Sequence, residues 1–294
     1  MKGIVLAGGK GTRLWPSTKV VSKQLLPLFD KPMIYYPLAT LMAAGIREIL
    51  IITSPDQNQL FKDLLGDGSQ FGVHFQYAIQ DNPNGLAEAL IIGEKFLLGC
   101  KCALILGDNF FHGTGLGQNL KKFTSIDGAQ IFAQTVNNPS EFGNIVLDKN
   151  QNIIKISEKP ENPESNLAIT GLYFYDESAT ERVREIKPSA RNELEITSLN
   201  EHYLHESKLH VDVLPRGTTW MDTGTHDNIN DVSNYVRIVE ERQGVKIACL
   251  EEVSLRNGWL DANSLMASVM GDIKIWGENS YTKYILKIAA ELLD

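Results

Sequence analysis

The sequence predicts an α/β protein, in which a three-layer αβα sandwich with a mostly parallel, mixed central sheet of the Rossmann-like type is followed by a helical C-terminal extension. Two observations predict this class. Short apolar runs alternate with helical patterns through the first half, which is typical of a parallel sheet with helices on both faces. From residue 225 onward the patterns are helical. With 294 residues and 43% hydrophobic content, the chain can bury one large core.

The first half is predicted to contain four strands separated by helices. We expect strands at residues 2–7, 48–53, 73–79 and 101–106 and helices at residues 34–45, 55–65 and 86–98. The runs KGIVLA and KCALIL are apolar enough to be buried on both faces of a sheet. Ligands of such sheets bind at the carboxyl ends of the strands, so the residues that follow these runs are the first candidates for a site.

The second half has more strands and turns. We expect strands at residues 129–136, 143–148, 153–157, 168–175 and 209–214, helices at 178–186 and 193–205, and then helices at 228–243, 261–269 and 280–293. This pattern predicts an α/β core over residues 1–224. A helical segment over residues 225–294 would pack on that core and at subunit interfaces. No Pro/Ser-rich linker marks the boundary.

Charge and hydropathy exclude several classes of partner. The net charge of −8 argues against a general nucleic-acid or anionic-membrane surface. No apolar run reaches the length of a membrane span, and the apolar stretch near the N-terminus is too short for a signal peptide. We therefore expect a cytoplasmic protein. Its three cysteines, Cys100, Cys102 and Cys249, do not suit a disulfide framework and are expected to be reduced core residues.

The opening segment concentrates positive charge around glycines. Residues 1–31 hold six basic residues against one acidic residue, and Gly8, Gly9 and Gly11 follow the first predicted strand. Backbone amides freed from side-chain bulk can close around phosphate oxygens. The spacing fits neither the P-loop nor the dinucleotide fingerprint. The segment therefore predicts a site for a small, highly charged anion of another class.

A longer pattern narrows that class. The stretch LAGGKGTRLWPSTKVVSKQLLPLFDKPMIYYPL resembles the signature of the sugar nucleotidyltransferase family, G-x-G-T-R-L followed by a lysine beside proline-rich apolar sequence. The resemblance continues at LLGDGSQFG, NGLAEA, LGDNFFHG, EKP, TGLYFY, WMDTGTHD and EERQGVKIACLEE. It implies the nucleotide-diphospho-sugar transferase type of fold, with residues 1–224 as a nucleotidyltransferase core that carries sugar-binding insertions. It also implies transfer of the dTMP moiety of dTTP to α-D-glucose 1-phosphate, which gives dTDP-glucose and pyrophosphate as the first step toward dTDP-L-rhamnose.

The reaction implied is attack by a sugar-phosphate oxygen on the α-phosphorus of dTTP. That oxygen is mostly ionised near neutral pH, so catalysis is a matter of positioning and charge neutralisation. Arg13 is expected to clamp the triphosphate and Lys23 to lie near the reacting phosphates as a compact charge. The resemblance implies a nucleotide-binding set of Leu6, Gly8, Gly9, Gly11, Thr12, Arg13, Gln24, Gln80, Pro83, Gly85 and Asp108.

Two carboxylates are the implied ligands of Mg²⁺, which favours oxygen donors supplemented by substrate phosphates and water. Asp108 follows the apolar strand KCALIL, and Asp222 lies in WMDTGTHD. The alternative for Asp108 is a turn residue beside Gly107, and for Asp222 a place in a helix cap. His202 and His205 lack a third well-spaced ligand and are expected on a solvated helix face.

For the sugar phosphate, the resemblance points to Leu86, Gly143, Glu158, Lys159, Gly171 and Trp220. Glu158 could accept hydrogen bonds from sugar hydroxyls, and Lys159 could pair with the phosphate. Phe142 stands where the family has tyrosine, so some relaxation of sugar choice is expected. The resemblance also implies a homotetramer whose pocket between subunits binds dTDP-L-rhamnose as feedback inhibitor.

Two other functions stay open at this point. One is a transferase that uses UTP or accepts another hexose 1-phosphate, because uracil differs from thymine by a single methyl group, worth roughly 1 kcal/mol. The other is a catalytically silent nucleotide-sugar sensor on the same fold. The sensor predicts the loss of at least one of Arg13, Lys23, Asp108 and Asp222, and all four are present.

Overall fold

The computed structural model describes residues 1–293. Within this range the strands are β1 (Lys2–Ala7), β2 (Pro27–Leu28), β3 (Lys31–Pro32), β4 (Glu48–Thr53), β5 (His74–Ile79), β6 (Cys102–Leu106), β7 (Asn109–His112), β8 (Ala129–Thr135), β9 (Asn144–Leu147), β10 (Ile153–Ser157), β11 (Leu167–Tyr175), β12 (Leu209–Val213) and β13 (Thr219–Asp222). The helices are α1 (Tyr35–Ala43), α2 (Asn58–Leu65), α3 (Glu88–Ile92), α4 (Glu94–Leu97), α5 (Leu116–Lys121), α6 (Ala179–Arg182), α7 (Ile196–His205), α8 (His226–Gln243), α9 (Leu250–Arg256), α10 (Ala262–Trp276) and α11 (Ser280–Glu291).

The central sheet has nine strands within the described residues, seven of them in the order β10-β9-β11-β6-β1-β4-β5. Strand β8 pairs with β11, and β12 pairs with β8. The half of the sheet around β1 is parallel, since β1 pairs in parallel with β4 and β6, and β4 with β5. Strand β11 runs antiparallel to its neighbours β6, β8 and β9. The predicted mostly parallel, mixed sheet is confirmed.

Both faces of the sheet are covered by helices. Alternate side chains of a strand point to opposite faces, so Ile4 and Leu6 of β1 join one core while Val5 and Ala7 join the other. The first core includes residues of α3, α4, α6 and α7. The second includes residues of α1, α2 and α5. The expected three-layer αβα sandwich is therefore confirmed.

The chain from Thr225 onward is helical, as predicted. The Thr225 side chain caps α8 by accepting a hydrogen bond from the Asn228 amide at 3.2 Å. Helix α8 buries Val232 and Val236 against Leu28 of the β2–β3 hairpin. Helices α9, α10 and α11 share a small core of their own. The division at residue 225 stays a prediction. No helix in residues 1–293 has the length and apolarity needed to cross a bilayer.

Three expectations need correction. The helix predicted over 86–98 is two shorter ones, α3 and α4, divided at Gly93, where a Cβ would lie 2.8 Å from Ile4 Cδ1. Of the helix predicted over 178–186, only α6 forms. Cys100 is exposed, because it lies in the turn after Gly99, before β6 begins; Cys102 and Cys249 are buried as expected. The pair β7 and β13 was not predicted.

Candidate active site

A cleft at the carboxyl ends of β1, β5 and β6 brings together most of the predicted site residues. One part, here called the small cavity, has a volume of about 190 Å³. It is lined by the predicted catalytic residue Lys23 and by the predicted nucleotide-binding residues Leu6, Gly9, Gln24, Gln80, Pro83 and Gly85. The adjoining large cavity, of about 480 Å³, is lined by Arg13 and Asp222 and by the predicted sugar-phosphate residues Gly143, Glu158, Lys159, Gly171 and Trp220.

The two cavities share a wall formed by Leu86, Leu106, Asp108 and Glu193. Gly8 lines a third cavity, of about 310 Å³, beside the small one. Two predicted residues, Gly11 and Thr12, lie outside all three cavities. Gly11 has a φ of 58° and forms the turn before the short 3₁₀ helix that carries Arg13.

The pairing of two short strands brings the two predicted metal ligands close together. Strand β7 follows Asp108 directly, and β13 ends at Asp222, which pairs with Asn109 in the antiparallel register. Thr223 locks the junction, since its amide and its hydroxyl donate to the Asp108 carbonyl oxygen at 3.0 Å and 2.7 Å. Residues more than a hundred positions apart in sequence thus form one corner of the cleft.

Asp108 is held in its ionised form. Burial raises the pKa of this carboxyl, but the ammonium group of Lys23 and hydrogen bonds from Lys23 and Asn109 outweigh it, so that the pKa lies below its ordinary value. Lys23 is itself buried and forms a salt bridge with Asp108. A buried lysine paired in this way is a preorganised positive charge at the wall that the two cavities share.

The pKa of Asp222 is shifted in the opposite direction from that of Asp108. Burial and the negative charge of Asp108 raise its pKa above the ordinary value, while Arg13 and Lys23 partly offset this. The Arg13 guanidinium lies beside it: a Cβ built on Gly224 would be 2.8 Å from Arg13 Nη2 and 2.6 Å from an Asp222 oxygen. The corner therefore holds two repelling carboxylates between two cations.

This donor set fits a divalent cation. Carboxylate oxygens are the ligands that Mg²⁺ prefers, and the repulsion between Asp108 and Asp222 is of the kind that a bound cation relieves. Across residues 1–293 there is no cluster of three or more His, Cys, Asp or Glu side chains with metal-binding geometry. Two protein carboxylates are nonetheless sufficient for Mg²⁺, which takes its remaining ligands from substrate phosphates and water.

Asn109 organises the corner and was not among the predicted site residues. It is 3% exposed, and its Oδ1 accepts hydrogen bonds from the Gly171 amide at 3.1 Å and the Trp220 indole at 2.6 Å. Its Nδ2 donates to Asp108 Oδ1 at 3.0 Å. One amide side chain thereby ties the carboxylate to the floor of the large cavity. Its place directly after Asp108 in LGDN was the only available signal.

The large cavity presents both cations and acceptors. Glu158 accepts hydrogen bonds from Thr197 at 2.6 Å and from Arg191 at 3.4 Å, which fixes its carboxylate while leaving lone pairs free. Lys159 lines the same cavity from a backbone with a φ of 40°, a left-handed conformation uncommon for lysine. Arg191 and Thr197 were not predicted, since neither stands in a recognisable motif.

Aromatic packing supports the predicted role of Trp220. The Phe142 ring packs edge to face on Trp220 with centroids 5.2 Å apart, and both rings line the large cavity. Phenylalanine at position 142 thus keeps the packing while it offers no hydroxyl to a ligand. His112 does not line the cavities; it is hydrogen-bonded to the Tyr235 hydroxyl at 2.8 Å. His202 lies opposite Glu185 at 3.7 Å, on a partly exposed helix face as expected.

Gly85 closes the base of the small cavity. It has a φ of 113°, and a Cβ there would collide with the backbone of Leu194. The Leu194 amide donates to the Asn84 carbonyl at 2.6 Å, and its carbonyl accepts from the Ala87 amide at 3.1 Å. Glycine at position 85 lets the loop that carries Glu193 lie directly on the loop that carries Pro83, so the two cavities meet.

The fold and this corner define a class of protein that handles phosphates at the carboxyl edge of an α/β sheet. Residues 2–237 match the model of the family described as nucleotidyl transferase, and the chain belongs to that family.

Within it, the chain is 50% identical to the glucose-1-phosphate thymidylyltransferase of Neisseria meningitidis, over 98% of this chain and 99% of that one. It is 49% identical to the glucose-1-phosphate thymidylyltransferase of Mycobacterium tuberculosis, with the same coverage.

Solved structures agree with this assignment. A glucose-1-phosphate thymidylyltransferase from Bacillus anthracis, crystallised with sucrose, superposes with a TM-score of 0.74 at 40% identity, over 81% of this chain and 95% of that chain. A UDP-glucose pyrophosphorylase in complex with UDP-glucose superposes with a TM-score of 0.71 at 25% identity, over 81% of this chain and 98% of that chain. The family resemblance seen in the sequence is confirmed.

Proposed function

We propose that this protein transfers the dTMP moiety of dTTP to α-D-glucose 1-phosphate and releases pyrophosphate. One observation carries the proposal: Arg13, Lys23, Asp108 and Asp222 converge between a small cavity and a large one. A nucleotide base in the small cavity and a sugar in the large cavity would place their phosphates at this corner. The relatives named above support the same reaction.

In the proposed reaction, a phosphate oxygen of glucose 1-phosphate forms a bond to the α-phosphorus of dTTP while the bond to the β-phosphate oxygen breaks. The electron pair of that bond leaves with pyrophosphate, and no general base is needed because the attacking oxygen is already ionised. Lys23 and Arg13 neutralise charge that builds up on the phosphates. Lys159 and Arg191, both on the large cavity, hold the sugar phosphate.

Asp108 and Asp222 are the residues that would hold Mg²⁺, which when bound would screen the charge of the triphosphate. The salt bridge between Lys23 and Asp108 keeps that carboxylate ionised and ready for a cation. The homotetramer, a pocket between subunits for dTDP-L-rhamnose, the cytoplasmic location and a place at the start of dTDP-L-rhamnose synthesis stay predictions from the family resemblance.

The test is pyrophosphate release by purified protein with glucose 1-phosphate, Mg²⁺ and either dTTP or UTP. We expect release with dTTP, and its loss in Lys23→Met. The control is Lys95→Met, which removes an exposed lysine on α4 and should leave turnover unchanged. Absence of release with both nucleotides would favour the silent sensor. Equal release with both would favour a transferase of broader nucleotide specificity.

A further inference from the structure

The orientation of the Gln80 side-chain amide determines what the small cavity can recognise. Gln80 is 6% exposed, and its backbone amide continues the sheet by donating to the Thr53 carbonyl at 2.9 Å. Its side chain lines the small cavity. An amide end has an acceptor oxygen and a donor nitrogen, so the group that faces the cavity depends on what holds the other one.

Two hydrogen-bond acceptors hold the side-chain nitrogen of Gln80. Gln80 Nε2 donates to a Glu88 carboxylate oxygen at 2.7 Å and lies 3.3 Å from the Gly85 carbonyl oxygen. Neither group can donate a hydrogen bond as a carboxylate or a carbonyl, so a reversed amide would place an oxygen against two acceptors. The orientation follows from the chemistry of the partners.

The Gln80 oxygen is left on the side of the opening loop. A Cβ built on Gly8 would lie 2.9 Å from Gln80 Oε1, which places that oxygen directly over the glycine. In the short 3₁₀ helix Lys23–Leu25, Gln24 Oε1 accepts from the Ser22 hydroxyl at 2.5 Å, which leaves Gln24 Nε2 free to donate. Gln80 lines both the small cavity and the third cavity beside it, and Gln24 lines the small cavity. The groups left for a ligand of the small cavity are therefore the acceptor of Gln80 and the donor of Gln24.

We infer that Glu88 is a positioning residue for base selection, because it fixes Gln80 with its carbonyl oxygen toward the base. A pyrimidine that carries N3–H beside a carbonyl matches this pair of groups, as in thymine and uracil. Cytosine presents an unprotonated N3 and an amino group in the same places, so it would oppose acceptor with acceptor. The inference rests on the proposed nucleotide site and assigns no contact between Glu88 and the ligand itself.

Glu88 lies where it can hold Gln80, but not where it could contact a ligand in the small or the large cavity. It is the first residue of α3, and its second carboxylate oxygen accepts from Asn84 Nδ2 at 2.8 Å. It does not line the small or the large cavity. Asn84 is exposed, so that bond can be replaced by water, whereas Gln80 is buried and depends on Glu88.

The experiment measures equilibrium dissociation constants of dTTP, UTP and dCTP by calorimetry, for the wild type and for Glu88→Leu, Glu88→Gln and Asn84→Ala. Loss of the orienting acceptor in Glu88→Leu is expected to lower the preference for dTTP over dCTP about tenfold. The ratio of dTTP to UTP should stay unchanged, because both bases carry N3–H. A merely structural role would weaken all three nucleotides by one factor.

Two variants serve as rescue and control. Glu88→Gln keeps one acceptor for Gln80, while the exposed Asn84 can turn to accept, so this variant should retain most of the preference for dTTP. Asn84→Ala should retain all of it. A Glu88→Leu protein that folds and keeps the wild-type ratio of dTTP to dCTP would overturn the inference, as would a wild type that binds dCTP as tightly as dTTP. Should Glu88→Leu fail to fold, a Glu88→Gln protein with no preference for dTTP would also overturn it.

These binding results do not depend on whether the proposed reaction is correct, because nucleotide binding is measured without turnover. A protein that binds dTTP selectively yet releases no pyrophosphate would contradict the proposed function and leave the inference on Glu88 unaffected. Equal release of pyrophosphate with dTTP and dCTP would overturn the inference on Glu88 and would still support a nucleotidyl transfer reaction.

Discussion

Replacement of Asn109 by leucine tests how the corner is built. Leucine has a similar volume, so the change removes hydrogen bonds with little cavity formation. It leaves the Gly171 amide and the Trp220 indole without an acceptor, at 3.1 Å and 2.6 Å in the native protein. Each stranded buried donor costs about 1–3 kcal/mol, so Asn109→Leu should lower the free energy of unfolding by roughly 2–6 kcal/mol.

The assay is thermal unfolding of the purified protein. At about 2–4 °C per kcal/mol for a large domain, the midpoint should fall by at least ~4 °C. Asn109→Asp keeps both acceptor contacts but places a buried carboxylate 3.0 Å from that of Asp108, so it should lower both the midpoint and turnover. Asn119→Leu, on the exposed surface of α5, is the matched control. A midpoint for Asn109→Leu within about 2 °C of the wild type would refute this account of the corner.

Three further predictions concern other parts of the chain. Asp108→Asn should reduce turnover by about 10²-fold or more, and near-normal pyrophosphate release would rule out Asp108 as a metal ligand. Gly85→Ala should destabilise the fold by more than ~1 kcal/mol in denaturant unfolding, because of the collision with Leu194. Burial opposes ionisation of Asp30, but hydrogen bonds from Lys246 and Lys31 hold its pKa low, so its stabilising contribution should be present above about pH 4 and lost as the pH falls further. Unfolding of Asp30→Asn should show a smaller loss of stability in that acid range.

Part of the sheet could be predicted because strands such as β1 and β6 are almost wholly apolar. The run KGIVLA is buried on both faces and pairs with two neighbours, and an uninterrupted apolar strand is typical of that position. Helix α8 was predicted from residue 228 and begins at 226, where Thr225 caps it. In each case the hydrophobic pattern that predicts the element is local and repeats along the strand or helix.

The corner of the cleft that holds Asp108 and Asp222 depends on the pairing of β7 with β13, which no local sequence pattern predicts. Strands β7 and β13 are four residues each, too short to show a period, and they meet only because the chain returns after more than a hundred residues. The sequence could suggest Asp108 and Asp222 through family resemblance, but not that Asn109 would bond to both Gly171 and Trp220. Cys100 shows the opposite failure: it was expected in the core because the three cysteines do not suit a disulfide framework, yet it lies ahead of β6 and is exposed.

The shared wall between the cavities explains why base selection and reaction can be separated in one protein. In the proposed reaction, a nucleotide whose base meets Gln80 and a sugar whose hydroxyls meet Glu158 would approach from opposite ends. Only Leu86, Leu106, Asp108 and Glu193 lie on both cavities. Of these, Asp108 alone is tied to a buried cation. Substitutions at Glu88 should therefore change which base binds, whereas substitutions at Lys23 should change turnover with every base. A change at Glu88 that altered turnover alone would mean that the two ends are coupled through Asp108.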